Sequence, residues 1–251
     1  MLLTFDVGNT FVKYGIYQGS ELQGLGKVKA DEIAPELFHD FDIKEVAISS
    51  VVPQVTENLV SFCQKHFSVS PFVISSESKF NLSIDYRTPH TLGLDRLCGA
   101  EGAFAMVLKE HNSETNEDPI VTVDFGTATT INLIRPGGVF AGGIIAPGIE
   151  TMINSLFKRT AQLPKIDFAD YREFIGKDTN SSIASGIMNA SVGLIEKSLS
   201  KISAEYQNKQ LDVFLTGGNS ALINPYIEFK CSIVKDLVIK GVYAVNKLNK
   251  I

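Results

Sequence analysis

The sequence predicts an α/β protein built from two similar halves, each with a mixed sheet and flanking helices. Three observations predict it: an apolar strand ending in Asp-x-Gly occurs twice, each copy runs on into a hairpin, and each half later returns to a strand that closes in small residues before a helix. The first copy is Leu3-Thr4-Phe5-Asp6-Val7-Gly8-Asn9-Thr10 and the second is Val121-Thr122-Val123-Asp124-Phe125-Gly126-Thr127-Ala128.

The elements follow in order. Val12 to Tyr17 turns at Gln18-Gly19-Ser20, and Thr130 to Ile134 turns at Arg135-Pro136-Gly137-Gly138, with a third strand expected after each turn. The later strands are Glu45 to Ser50 and Asp212 to Gly218. Apolar residues at three- and four-residue intervals predict helices over Gln54 to His66, Gly93 to Leu108, Thr179 to Ser200 and Val238 to Leu248. The polar run Lys109 to Pro119 separates the halves, giving expected domains of 1–114 and 115–251. A cleft between them is the expected place for a ligand.

Composition narrows the function. At 251 residues, 44% hydrophobic and 20% charged, the chain reads as an ordinary globular protein. A net charge of -5 offers no overall basic field, so neither nucleic acid nor an anionic membrane is expected as a partner. Met1 to Asp6 carries no basic n-region, and no stretch approaches the ~18 apolar residues of a spanning helix. A cytosolic protein is expected. Cys63, Cys98 and Cys231 are widely spaced and read as reduced structural thiols; His39, His66, His90 and His111 are scattered, which argues against a metal cluster.

The chemistry concentrates in the Asp-x-Gly turns. A glycine able to take φ > 0 permits close backbone approach, and turn N–H groups with the Asn9 amide and Thr10 hydroxyl can surround phosphate oxygens. Asp6 would then hold Mg²⁺, which favours one or two carboxylates plus substrate phosphates, and Lys13 could neutralise phosphate charge. A plain hairpin turn also uses Asp-x-Gly, and a hairpin lysine is often merely solvated, but two copies behind two apolar strands favour the phosphate reading. No Walker-type or Rossmann glycine pattern is present, so phosphate binding falls to the paired turns.

The twin hairpins resemble the superfamily of acetate and sugar kinases, heat-shock chaperone ATPases and actin, whose two ribonuclease H-like domains clamp ATP. Within it, the chain is similar to the type III pantothenate kinases. The matching pieces are Asp6 to Thr10, Ser49-Ser50-Val51-Val52-Pro53, Tyr86 followed by Gly93-Leu94-Asp95-Arg96, Asp124 to Thr130, Gly142-Gly143-Ile144-Ile145-Ala146-Pro147-Gly148, and Ile175-Gly176-Lys177-Asp178-Thr179, with Thr216-Gly217-Gly218 beyond.

The resemblance implies transfer of the ATP γ-phosphate to the terminal hydroxyl of pantothenate, the first step toward coenzyme A, in a homodimer. It assigns Asp95 as catalytic base, with Gly93, Leu94 and Arg96 around the substrate and Tyr86 and Thr179 as further contacts. It gives the ATP site to Asp6, Val7, Gly8, Asn9, Thr10, Phe11, Val12, Lys13 and Thr127, and an activating K⁺ or NH₄⁺ to Asp124. Arg96 suits a carboxylate; alternatively Asp95 and Arg96 form an ion pair at a helix start. Gly142, Gly143 and Gly148 either close over substrate or make a tight strand-to-helix link. Arg87-Thr88-Pro89 and Leu94 depart from the Asn-Pro and alanine of many relatives. Competing readings are a kinase or phosphohydrolase of another small metabolite, or a nucleotide-dependent regulatory protein of the same superfamily.

Overall fold

The computed structural model describes residues 1–168, 171, 173–207 and 209–250. The first Asp-x-Gly segment forms β1 (Leu2–Val7), buried at every residue. Leu3, Phe5 and Val7 join Val12, Ile16, Ile48 and Leu59 in one cluster, while Leu2 joins Ala47, Cys98, Val238 and Val242 in another. Both faces of this strand are covered, which is why its sequence is apolar up to Asp6 except for Thr4, whose buried hydroxyl donates to the Gly15 carbonyl at 2.9 Å.

β1 pairs antiparallel with β2 (Val12–Gln18) and parallel with β4 (Glu45–Ser50). With β3 (Glu21–Val28) and β5 (Phe72–Val73) the first sheet has the order β3-β2-β1-β4-β5. The second sheet contains β6 (Ser83–Ile84), β7 (Ile120–Phe125), β8 (Ala128–Arg135), β9 (Val139–Pro147), β10 (Asp212–Gly217) and β11 (Cys231–Ile233), ordered β11-β10-β7-β8-β9-β6. Apart from β6, that order read backwards, β9-β8-β7-β10-β11, repeats the first. The duplication read from two short motifs therefore extends to whole sheets.

The helices are α1 (Pro53–Phe67), α2 (Leu94–His111), α3 (Ile149–Arg159), α4 (Thr179–Glu205), α5 (Ser220–Ile223) and α6 (Leu237–Leu248). The four expected from periodicity are present, extended by a few residues. α1 opens with Pro53 at its first position, where a missing N–H costs nothing, and closes at Ser68 with φ 55. α3, α5, β5, β6 and β11 were not anticipated.

The polar run between the halves is not a free linker. Lys109 to His111 still belong to α2, which ends at Asn112 with φ 48. Further on, Asn116 is only 2% exposed. Its amide donates to the Arg135 carbonyl at 3.3 Å, and its Oδ1 accepts the Gly138 N–H at 2.8 Å. That bond pins the β8–β9 turn, where Gly137 (φ 85) and Gly138 (φ 71) adopt conformations that any side chain would strain.

Two compact units result, neither contiguous in sequence: Met1–Asn116 with Ile134–Gly142 and Asp236–Ile251, and Glu117–Leu133 with Gly143–Lys235. The last helix belongs to the first unit. There α6 meets α2 at backbone distance: a Cβ on Gly241 would lie 1.7 Å from the Cys98 carbonyl oxygen, and one on Gly102 would lie 2.3 Å from that of Leu237. The second unit has its own core, in which Val121, Val123 and Phe125 of β7 pack with Ile149, Ile153, Ile187, Ile195 and Leu199.

Candidate active site

In the first unit, Asp6 is the next-to-last residue of β1, on the face opposite Phe5, and is 7% exposed. It sits directly across from Lys13 of β2, and the Asp6 Oδ2 to Lys13 Nζ distance is 3.8 Å. Between them the chain turns through Gly8, whose N–H donates to the Phe11 carbonyl at 3.0 Å. Gly8 does not use a positive φ; its value is compactness, since a Cβ there would lie 3.3 Å from that same oxygen. Asn9 and Thr10 are exposed at the tip, Val7 and Val12 are buried, and Phe11 is half-buried. Lys27 of β3 stands opposite Lys13 and places its ammonium 3.9 Å from the Phe11 ring centroid. Two like charges facing each other across a sheet would ordinarily repel. Here one has a carboxylate and the other an aromatic face.

The second cluster in this unit forms around the start of α2. Gly93 is the residue before the helix, and a Cβ on it would fall 2.5 Å from Asp95 Oδ1. Glycine thus gives the Asp95 carboxylate its space. Asp95 lies in the first helical turn, where the helix dipole favours a negative charge. Arg96 is 7% exposed, with its guanidinium carbon 5.9 Å from the Tyr86 ring centroid and 5.8 Å from that of Phe140. The two rings meet edge to face with centroids 6.2 Å apart. Leu94 is half-buried and packs on the cluster containing Ala47 and Cys98. His90 is exposed in a short 3-10 turn.

The second unit carries the other motif. Asp124 is the next-to-last residue of β7, and Gly126 again makes a tight turn, its N–H donating to the Ala128 carbonyl at 3.1 Å. Opposite Asp124 on β10 is Thr216, whose hydroxyl is buried and has no hydrogen-bond partner among the described residues. Gly217 follows with φ 88, and a Cβ on it would lie 2.5 Å from Asp124 Oδ1. The Thr127 carbonyl accepts from the Gly148 N–H at 3.0 Å and from Thr151 Oγ1 at 2.6 Å. Gly148 is therefore a tight strand-to-helix link, as the 2.3 Å between its would-be Cβ and the Gly126 oxygen also requires. Thr179 opens α4 and is exposed. Asp178 caps that helix, accepting the Ser181 N–H at 2.8 Å. Leu163, Gly176, Lys177, Asp178 and Thr179 line an open depression of about 600 Å³.

The fold thus brings Tyr86 to Arg96, Gly93 to Asp95 and Asp6 to Lys13. Asp124, Thr127 and Thr179 belong to the second unit. Lys27, Glu101 and Phe140 escaped sequence reasoning as site neighbours because none stands in a motif; only strand register and helix phase bring them in, whereas Thr216 already stood in the Thr216-Gly217-Gly218 segment and only its place opposite Asp124 is new. Among the described residues, no group of three His, Cys, Asp or Glu side chains is placed to hold a metal, and no helix is long and apolar enough to cross a membrane.

Two mixed sheets of matching order, each opening on an Asp-ended hairpin, define a protein of the actin-like α/β class. Solved structures agree on the fold: a Campylobacter jejuni protein described as a candidate Baf family transcriptional activator aligns with TM-score 0.65 at 19% identity, covering 98% of both chains. A Listeria monocytogenes protein described as a candidate N-acetylmannosamine kinase aligns with TM-score 0.52 at 12% identity, again covering 98% of both. The chain belongs to the type III pantothenate kinase family, whose sequence profile matches residues 2–201. Type III pantothenate kinases of Sulfurihydrogenibium sp. and Thermosipho africanus are 33% and 32% identical to it, covering 98% and 97% of this chain and 100% and 97% of their own.

Proposed function

We propose that this chain transfers the γ-phosphate of ATP to the terminal hydroxyl of pantothenate, giving 4'-phosphopantothenate, the first step of coenzyme A biosynthesis. The observation that carries the reading is the family match over residues 2–201. Asp95 is the base that orients the attacking hydroxyl and takes its proton; the space left by Gly93 and the carboxylate's place in the first turn of α2 support that role. Arg96, held against Tyr86 and Phe140, is the partner for the pantothenate carboxylate, since its planar fork can stack on rings and bind the acid at once. Gly93, Leu94 and Thr179 complete the proposed contacts.

Asp6 to Lys13 and Thr127 are the proposed ATP residues. Mg²⁺ fits at Asp6, a nearly buried carboxylate beside an ammonium at the mouth of a turn; bound with ATP, it would neutralise charge on the transferring phosphates. A monovalent cation, K⁺ or NH₄⁺, fits at Asp124, because the unpartnered Thr216 hydroxyl supplies a second oxygen and glycine leaves the carboxylate uncrowded. A cytosolic homodimer is the proposed state. Three free cysteines suit a reducing compartment, and Ile145, Phe174 and Ile175, exposed at 61%, 67% and 71%, suit a covered face.

ADP release from purified protein with ATP and Mg²⁺ tests the reading, with and without pantothenate and in K⁺ against Na⁺. ADP should form only with pantothenate, fall without K⁺, and drop about 10²–10⁴-fold in Asp95→Asn. Equal ADP formation without pantothenate would defeat the substrate assignment.

A further inference from the structure

Glu101 is a fully buried acid in the second turn of α2, used by no step above. Taking a carboxylate out of water is costly unless hydrogen bonds replace its hydration. Three donors do so: Oε1 accepts the Asn81 N–H at 3.2 Å and the Asn81 side-chain amide at 2.6 Å, and Oε2 accepts the Leu82 N–H at 3.2 Å. All three come from the two residues that lead into β6. That strand is only two residues long, paired at Ser83 with Val139 and at Ile84 with Phe140, so its ladder alone fixes it weakly. Next along the chain, the Asp85 N–H donates to the Phe140 carbonyl at 2.9 Å, and Tyr86 then lays its ring against Phe140.

One helix therefore holds both sides of the aromatic wall. Arg96 lies against the two rings, and Glu101, five positions on, fixes the strand that delivers Tyr86. A short edge strand needed only for packing would be served by an apolar contact, without a buried charge. We infer that Glu101 is a positioning residue for the pantothenate pocket, setting Tyr86 and Phe140 at the height where Arg96 can meet the substrate carboxylate. This rests on the reading of Tyr86 and Arg96 as pantothenate contacts.

Steady-state kinetics of Glu101→Gln test it, because glutamine keeps the shape but turns an NH₂ toward at least one of the three donors. KM for pantothenate should rise about tenfold, with kcat and KM for ATP within about twofold of wild type. Backbone hydrogen exchange at Leu82 to Tyr86 should quicken, while that of β1 stays unchanged. An unchanged KM for pantothenate overturns the inference, and so does an equal rise in both KM values, the mark of a generally loosened fold. Should that variant not fold, Asn81→Ala serves, removing the shortest of the three bonds at an exposed residue; its KM for pantothenate should rise about two- to fivefold, and no change overturns the inference equally. A wild-type enzyme without pantothenate-dependent turnover defeats the pocket reading and this inference with it. Turnover with an unmoved KM in the variants defeats the inference alone.

Discussion

Arg96 shows how single residues would divide the work of the proposed pantothenate pocket. Its guanidinium lies against two rings and is almost fully buried, so a flexible point charge is a poor substitute. Arg96→Lys should raise KM for pantothenate by about tenfold or more while leaving KM for ATP alone; equal KM values would remove Arg96 from the pocket. Glu101 adds a pH signature. Burial, its dominant influence, pushes the carboxyl above the usual carboxylate range, against the pull of the Asn81 and Leu82 hydrogen bonds. The folded state therefore holds this proton more tightly than the unfolded one, and stability is lost as pH rises from the ordinary carboxylate value through the raised folded one. Glu101→Gln should flatten the melting temperature against pH across that window; a curve parallel to wild type would show that Glu101 titrates alike in both states. At this scale Asp95 and Arg96 were legible as a motif. Phe140 and Glu101 were not, since nothing in their neighbours along the chain distinguishes a pocket ring or buried acid from ordinary core and helix surface.

Among elements, the α2–α6 crossing is the most constrained. With its Cβ position 1.7 Å from the Cys98 carbonyl oxygen, Gly241 can accept no side chain unless the helices part. Gly241→Ala should cost about 2–4 kcal/mol, lowering the melting temperature by roughly 5–15 °C. Gly193, inside α4 with nothing within 4 Å of its Cβ position, should behave oppositely, and Gly193→Ala should gain up to about 1 kcal/mol. Similar melting temperatures for the two variants would refute the close crossing. The long periodic helices and the two hairpins were readable from sequence because amphipathic spacing and turn glycines are local signals. β5 and β6, two residues each, carry no period at all. Tertiary hydrogen bonds define them.

For the molecule as a whole, the three cysteines report folding. Burial pushes the Cys63 thiol up to about 12 and Cys231 to about 11, and raises Cys98 as well. None is a thiolate at neutral pH, and Cys63 and Cys98 are buried while Cys231 is half-buried, so the native protein should react slowly with iodoacetamide and unfolding should expose three fast thiols; rapid labelling of Cys63 or Cys98 in folded protein would contradict their buried placements. The repeated sheet order was foreshadowed by two eight-residue motifs, because duplication leaves its clearest trace where glycine and aspartate are required. The interleaving of the units left no such trace, since a return of the chain to its first unit depends on contacts between residues far apart in sequence.

That return matters while the chain is being made. The helix carrying Asp95, Arg96 and Glu101 leaves the ribosome well before its packing partner α6, which follows the whole 143–235 segment of the second unit. At ~5–20 residues per second, the exposed Gly102 and Cys98 face waits through the synthesis of an entire neighbouring unit before it is covered. A chain released early would present a bare helix flank to chaperones and proteases, so the helix carrying Asp95 and Arg96 gains its packing partner only once the second half has been translated.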